Sequence, residues 1–221
     1  MIPELAFFPT QNQKWVLHLI FVRIPKNASS SIYKHLGDFN LIKKYESLFR
    51  ANASNPLYRN FFDTTHAKPS EIKQLIPINV NNYFSFAVVR NPWDRFVSMY
   101  SFVLQNQLWR LFNLQSPPSF KEFCLICEER KNQNDLHFFP IQQQHLWMSG
   151  AFEVQKILRF ENLAEDFRSM ILEINASHIS TELPHINSSD HDKYQKYYDN
   201  YTKNLVSSLY NEDIQKFNYT F

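Results

Sequence analysis

The sequence is poor in glycine and cysteine, with only two of each among 221 residues. Phosphate-binding turns usually use glycine, because backbone N–H groups must come close to the anion, so a glycine-rich loop of the Walker type is excluded. The two cysteines, Cys124 and Cys127, have no second pair to complete a zinc site. They lie in FKEFCLICEER, an amphipathic helical pattern that favours buried, reduced thiols over a redox pair.

Strong charge and long apolar runs are also missing. The formal net charge of +2 gives no broad basic surface for nucleic acid or a membrane, so any anion must be bound locally. The longest apolar run, WVLHLIFV, is far shorter than the roughly 20 residues that span a bilayer. The opening MIPELAFFPTQNQK lacks the features of a signal peptide. These features predict a cytoplasmic protein without a transmembrane segment, unless the sequence is a trimmed form of a longer one.

Apolar strands alternate with helical patterns along the chain. WVLHLIFVRI precedes SSSIYKHLGDF, and YFSFAVV precedes a helix that begins near Asn91. A short strand ending near Thr65 precedes a helix from Pro69, and KILRF precedes a helix from about Leu163. The region 101–150 is mostly helical with a break at QSPPS, and the tail becomes helical from about Asp199. This alternation predicts an α/β domain with a parallel sheet.

The first strand leads into PKNASSS, a loop with one lysine, one asparagine and three serines. In an open parallel sheet, ligands bind at the carboxyl ends of the strands, where helix N-termini present N–H groups to anions. Lys26 adds a positive charge and the serine hydroxyls add donors. The alternative is a solvated lysine beside serines that only cap a helix.

A second strand end favours the anion-binding interpretation. Arg90 follows the strand YFSFAVV, and we expect it at the same edge of the sheet as the first loop. Ser98 comes about two helical turns later, on a face that can return toward the strand end. An arginine with a hydroxyl is a suitable pair for a second phosphate.

These motifs resemble the sulfotransferases. FVRIPKNASSSI resembles their 5′-phosphosulfate loop, and VVRNPWDRFVSMY resembles their 3′-phosphate motif. RFENLAEDF and the C-terminal segment resemble later parts of the membrane-type, or family 2, carbohydrate sulfotransferases, so the resemblance covers roughly residues 20–219. It implies a P-loop-like three-layer α/β fold with a central parallel sheet flanked by helices. It also implies one domain over 1–221, with 1–13 as an N-terminal extension.

The resemblance implies that the donor is 3′-phosphoadenosine 5′-phosphosulfate (PAPS) and the product 3′-phosphoadenosine 5′-phosphate (PAP), without a metal. Lys26 would contact the oxygen that joins phosphate and sulfate, while Arg90 and Ser98 would hold the 3′-phosphate. The 5′-phosphate would be bound by the loop residues Asn27, Ala28, Ser29, Ser30 and Ser31. Ala28 and Ser29 replace the Gly-Gly of many members, which suits the loop if both keep a negative φ.

Sulfuryl transfer also needs a base for the attacking hydroxyl. His66 is predicted as that base because it follows a strand at the same sheet edge, and the family often has a histidine in a similar context. Glu161 is the alternative base, while Asp94 with Arg95 is interpreted as helix-start electrostatics or as an ion pair that holds the phosphate motif together. The predicted acceptor is a hydroxyl of a glycan or glycolipid. His137, His145 and Trp147 are either residues of an acceptor cleft or ordinary core and rim residues.

The segment HINSSDHD places His185 and His191 near two aspartates, but its spacing matches no defensible metal site. The favoured role for 184–198 is a loop that covers donor or acceptor, with Asn187 and Ser188 as candidate contacts. Two alternatives to a sulfotransferase remain at this point. They are a P-loop kinase-like phosphotransferase, which the lysine order disfavours, and a nucleotide- or glycan-binding module without catalysis.

Overall fold

The computed structural model describes residues 19–36, 66, 68–70, 73, 83–135, 138–176, 179–183 and 193–221. The chain forms two compact units, each built from two segments. The first contains Met1–Val89 and Trp147–Ile186, and the second contains Arg90–Leu146 and Asn187–Phe221. The main elements, in chain order, are β1 (Leu19–Val22), α1 (Ser29–Leu36), β2 (Phe84–Val89), α2 (Pro92–Gln105), α3 (Phe120–Asn132), β3 (Lys156–Arg159), α4 (Leu163–Glu173), α5 (Asn200–Leu209) and α6 (Asn211–Phe217).

The first unit contains a parallel sheet whose strands have the order β1-β2-β3. The register places Phe21 beside Phe86, and their rings stack with centroids 4.6 Å apart. The strand β2 lies between the other two and is almost fully buried, as expected for a strand without an alternating polar face. The α/β class and the parallel sheet are therefore confirmed in the described part of the chain.

One continuous core joins this sheet to the helices α1 and α4. From the sheet it takes Phe86, Val88 and Leu158, and the helical side chains that pack with them recur at helical spacing. They are Ile32 and Leu36 from α1 with Phe167, Met170 and Ile171 from α4. Burial of these residues attaches α1 to the sheet, which fixes the position of the loop before it.

The second unit is helical and packs around aromatic side chains. The helix α5 packs against both α2 and α3. Phe96 of α2 contacts the rings of Phe120, Phe123 and Tyr210, and 3-10 helices cover Leu108–Phe112, Phe139–Ile141 and Tyr194–Tyr197. Ser119 and Glu122 form a capping box at the start of α3. Cys124 and Cys127 are free and buried on the inner face of α3, as predicted.

Several predicted helix starts are confirmed. Asn91 caps α2 with Pro92 in the first helical position, α4 begins at Leu163, and Asp199 caps α5. The predicted strand near Thr65 lies outside the described residues, although Pro69 and Ser70 are helical. No helix among the described residues is long and apolar enough to cross a membrane. The single domain over 1–221 stays a prediction.

Candidate functional site

The predicted site residues divide between the two units. The loop from Lys26 to Ser31 and His66 belong to the first unit, and Arg90 and Ser98 belong to the second. The 3-10 helix Phe160–Asn162 holds Glu161, whose side chain is exposed in the first unit.

The loop between β1 and α1 has an alternating backbone. Lys26 has φ 68° and Ala28 has φ 55°, whereas Asn27 between them has a negative φ. Such alternation turns successive N–H groups toward one side of the chain, which makes a concave site for anions. The condition that residues 28 and 29 both keep a negative φ is not met at Ala28. Its left-handed conformation is one that glycine adopts without a steric penalty.

Asn27 attaches this loop to the sheet. Its side chain is buried, and Nδ2 donates a hydrogen bond of 2.7 Å to the carbonyl oxygen of Val88 in β2. The Asn27 backbone N–H donates to Ile24 across the turn at 3.4 Å. The loop is therefore held from both its own backbone and the neighbouring strand.

The helix α1 begins directly after the turn. The N–H groups of Ser31 and Ile32 donate to the carbonyl of Ala28, at 3.1 and 3.3 Å. Ser29 and Ser31 are buried, Ser30 is exposed, and Lys26 is partly exposed. The earliest N–H groups of a helix have no acceptor within it, and its dipole adds partial positive charge at that end. The combination of turn, helix start and lysine suits a phosphate group.

The His66 ring is held beside this loop within the first unit. Its Nδ1 lies 2.7 Å from the carbonyl oxygen of Arg23. A carbonyl oxygen only accepts hydrogen bonds, so Nδ1 carries a proton, and Nε2 of the neutral ring has the basic lone pair. The Trp147 ring packs edge-on to His66 at 6.2 Å, and Lys68 Nζ lies 5.3 Å from the Trp147 centroid. This tautomer is the one that a general base needs.

In the second unit, Arg90 is buried and held at both ends. Its Nε donates to Asp94 Oδ2 at 2.7 Å, which is the helix-start ion pair predicted for Asp94, here with Arg90 instead of Arg95. Arg95 instead donates from Nη1 to the carbonyl of Gln142 at 3.0 Å. The backbone N–H and C=O of Arg90 both bond the side chain of Gln144. Ser98 is buried in the second turn of α2.

The N-terminus of α2 is fixed by its cap. The Asn91 side chain accepts from the N–H groups of Trp93 and Asp94, and its Nδ2 donates to the carbonyl of Thr220 at 2.9 Å. This hydrogen bond joins residues 129 positions apart in sequence, and no local sequence pattern predicts it. Arg90, directly before the cap, therefore belongs to a rigid segment.

Other candidates from the sequence have different outcomes. His145 bonds Asp213 and Glu212 within the second unit, so its ring is already engaged. His137, His185, His191, Asn187 and Ser188 lie outside the described residues. In the described ranges no group of three His, Cys, Asp or Glu side chains could hold a metal ion. Sequence reasoning missed Gln144, one of three consecutive glutamines, because composition does not distinguish it from its neighbours.

Comparison with known proteins agrees with the motifs. The model of the sulfotransferase family matches residues 14–220, nearly the whole chain. No curated protein and no solved structure matches at a significant level. The family predicted from the two phosphate motifs is confirmed, and the chain belongs to the sulfotransferase family.

Proposed function

We propose that this sulfotransferase moves the sulfuryl group of PAPS to a hydroxyl of a carbohydrate, either a glycan or a glycolipid. The observation that supports this mechanism most directly is the contact of His66 Nδ1 with the carbonyl of Arg23. It leaves Nε2 as the basic nitrogen of a ring that is held by Arg23, and Arg23 lies three residues before Lys26 in the sequence. Family membership supports sulfuryl transfer as the reaction class.

In the proposed mechanism, His66 Nε2 takes the proton of the attacking hydroxyl. PAPS supplies the sulfuryl group: a bond forms from the acceptor oxygen to sulfur, and the bond from sulfur to the 5′-phosphate oxygen breaks. Negative charge then builds on that phosphate oxygen. Lys26 and the N–H groups at the start of α1 stabilise this charge, so the loop supplies the cation that the leaving group needs.

The donor is proposed to bind through two sets of residues. Asn27, Ala28, Ser29, Ser30 and Ser31 hold the 5′-phosphosulfate, and the alternating backbone of the turn supports this assignment. Arg90 and Ser98 hold the 3′-phosphate. The bond from Asp94 to Arg90 Nε supports this role because it fixes the plane of the guanidinium, the group that binds phosphate through paired N–H donors.

Two further features bear on parts of the proposal. The Trp147 ring is buried and packs edge-on to His66, so it helps to hold the proposed base, and the carbohydrate acceptor is proposed from the resemblance of the motifs to the carbohydrate sulfotransferases. The free thiols of Cys124 and Cys127 suit a reducing compartment, which favours a cytoplasmic location. Glu161 remains the alternative base, with a side chain that is exposed in the first unit.

The test is thermal stabilisation by PAP, ADP and ATP–Mg in the wild type and in Arg90→Ala. A ligand at about 100 times its dissociation constant adds roughly 2.7 kcal/mol to the stability of the folded state, which shifts Tm by several degrees. We expect PAP alone to stabilise the wild type, and Arg90→Ala to lose the effect. Arg110→Ala is the matched control, because Arg110 is an exposed arginine of the same unit that packs on Trp109. Equal or better stabilisation by ATP–Mg would favour a kinase and contradict the proposal.

A further inference from the structure

The Gln144 side chain makes two hydrogen bonds to one residue. Its Oε1 accepts from the backbone N–H of Arg90 at 2.9 Å, and its Nε2 donates to the backbone C=O of Arg90 at 2.9 Å. Gln144 is fully buried, so water does not compete for either bond. A single amide thus pairs with Arg90 as an adjacent β-strand would, and it fixes the backbone from which the arginine side chain extends.

Gln144 is itself held by α6. Its backbone N–H donates to Asp213 Oδ2 at 2.5 Å, and the other carboxylate oxygen accepts from the N–H and Nδ1 of His145, both at 2.9 Å. Asp213 is fully buried, and these three donors compensate the loss of water around its oxygens. A continuous series of hydrogen bonds therefore runs from α6 through Gln144 to Arg90.

The opposite end of the Arg90 side chain is held independently. Asp94, in the first turn of α2, accepts from Arg90 Nε at 2.7 Å. Gln144 sets where the side chain begins and Asp94 sets how its guanidinium is oriented. Because the Arg90 backbone and guanidinium are both fixed, the side chain loses little conformational entropy when it binds a phosphate. This improves both the affinity for the phosphate and the selectivity for its position.

We propose that Gln144 is a positioning residue that gives Arg90 its selectivity for a 3′-phosphate. This inference rests on the proposed function, in which Arg90 binds that phosphate. Loss of the Gln144 amide leaves the N–H and C=O of Arg90 without their buried partners, so the local backbone shifts to find new ones. The N–H donors of the Arg90 guanidinium are then no longer aligned with the oxygens of the 3′-phosphate. The 5′-phosphate loop in the first unit keeps its own contacts.

Gln144→Met removes both bonds at nearly unchanged side-chain length, and Gln143→Met is the matched control. Gln143 is the adjacent glutamine, but its Oε1 accepts from the N–H groups of Glu212 and Asp213 at 3.1 and 3.2 Å, and its Nε2 donates to Glu212. Both variants lose amide bonds that stabilise the second unit, so both are expected to lower Tm. Only Gln144→Met is expected to change nucleotide selectivity.

The measurement is calorimetric affinity for PAP and for 5′-AMP, which lacks the 3′-phosphate, on the full chain. Gln144→Met is expected to reduce the ratio of the two affinities by about tenfold, equivalent to the loss of one charge-assisted hydrogen bond. Gln143→Met is expected to keep the wild-type ratio. In Arg90→Ala, adding Gln144→Met should reduce the ratio no further, because both changes act through the same guanidinium.

Each outcome separates this inference from the proposed function. A wild type that does not prefer PAP overturns both. A wild type that prefers PAP, with an unchanged ratio in Gln144→Met, overturns the role of Gln144 alone. If Gln144→Met does not fold, Gln144→Asn replaces it, since its amide keeps the polar group but is one methylene too short to make both bonds to Arg90. Its ratio should fall between those of the wild type and Arg90→Ala, and a wild-type ratio there overturns the inference as well.

Discussion

At the residue scale, the turn before α1 uses left-handed backbone where the sequence offers no glycine. Lys26 and Ala28 both have positive φ, and the Cβ of an L-residue makes this conformation cost about 1–2 kcal/mol per residue. Such strain is tolerated when the surrounding structure fixes the chain, as the Asn27 bond to Val88 does here. The strain is therefore concentrated in the loop to which we assign the 5′-phosphosulfate.

Ala28→Gly is expected to increase the free energy of unfolding by up to about 1 kcal/mol. Glycine removes the steric cost of the left-handed conformation, and the added freedom of the unfolded chain offsets part of the gain. Urea denaturation measures the change. Ala164→Gly is the control, because Ala164 is exposed in α4 and glycine there should destabilise the helix. Equal destabilisation by both substitutions would show that the conformation of residue 28 carries no cost.

His66→Ala is expected to reduce the transfer rate by about 10²–10⁴-fold, the usual contribution of a general base. The stabilisation by PAP should remain, because the His66 contact with Arg23 precedes the phosphate-binding turn. His66→Asn is the informative companion variant, since its amide can still donate toward Arg23 but provides no base. Turnover assays with PAPS on both variants distinguish the loss of the base from the loss of the contact with Arg23. An active His66→Asn would transfer the base assignment to Glu161.

At the element scale, the local starts of helices could be predicted from the sequence, whereas the contacts between distant segments could not. Asn91 before Pro92, Ser119 three residues before Glu122, and Asp199 are capping signals contained in a few consecutive residues. The bond from Asn27 to Val88 joins residues 61 positions apart, and its direction depends on the parallel pairing of β1 and β2. The strand–loop–helix units were predictable for this reason, and the residues that fix their loops were not.

The helix α3 allows a prediction about its cysteines. Burial raises the pKa of Cys124 to about 12 and that of Cys127 well above its ordinary value. The thiolate is the reactive form, so at pH 8 only about one Cys124 in ten thousand is ionised. We expect neither thiol of the folded protein to react with an aqueous disulfide reagent at pH 8.

The same reagent provides the control for this prediction. In denaturant both thiols lose their burial and return toward a pKa of about 8.5, so both should react within minutes. The reaction is followed by the absorbance of the released thiolate. Rapid modification of one cysteine in the folded protein would contradict the buried packing of α3 and reopen the redox interpretation of the pair.

At the scale of the whole molecule, each compact unit is assembled from two separate segments of the chain. The family and the class of fold were predictable, because the two phosphate motifs and the strand–helix alternation are local patterns in sequence. The division of the chain after Val89 and again after Leu146 was not predictable, since it follows from long-range packing. Gln144 illustrates the same limit, because its partner Arg90 lies 54 residues earlier.

The second unit should depend on its C-terminal segment for cooperative folding. Residues 193–221 supply α5, which packs against α2 and α3, and also the partners of Trp93. Tyr198 donates from its hydroxyl to the Trp93 carbonyl at 2.9 Å, and Trp93 Nε1 donates to Ser207 Oγ at 3.2 Å. A chain shortened to residues 1–192 would expose the buried faces of both helices to water, which costs more than the remaining contacts can supply.

We therefore expect the shortened chain to lose the near-ultraviolet circular dichroism of Trp93 and Trp109. We also expect that PAP no longer raises its Tm. Tyr198→Phe is the matched control, because it removes one hydrogen bond and should lower stability by only about 0.5–1.5 kcal/mol. That variant should keep the aromatic signal and the response to PAP. A shortened chain that unfolds cooperatively at the wild-type temperature would show that 90–146 folds without its C-terminal partner. The helical packing of α5 would then be an addition to the second unit instead of a condition for its folding.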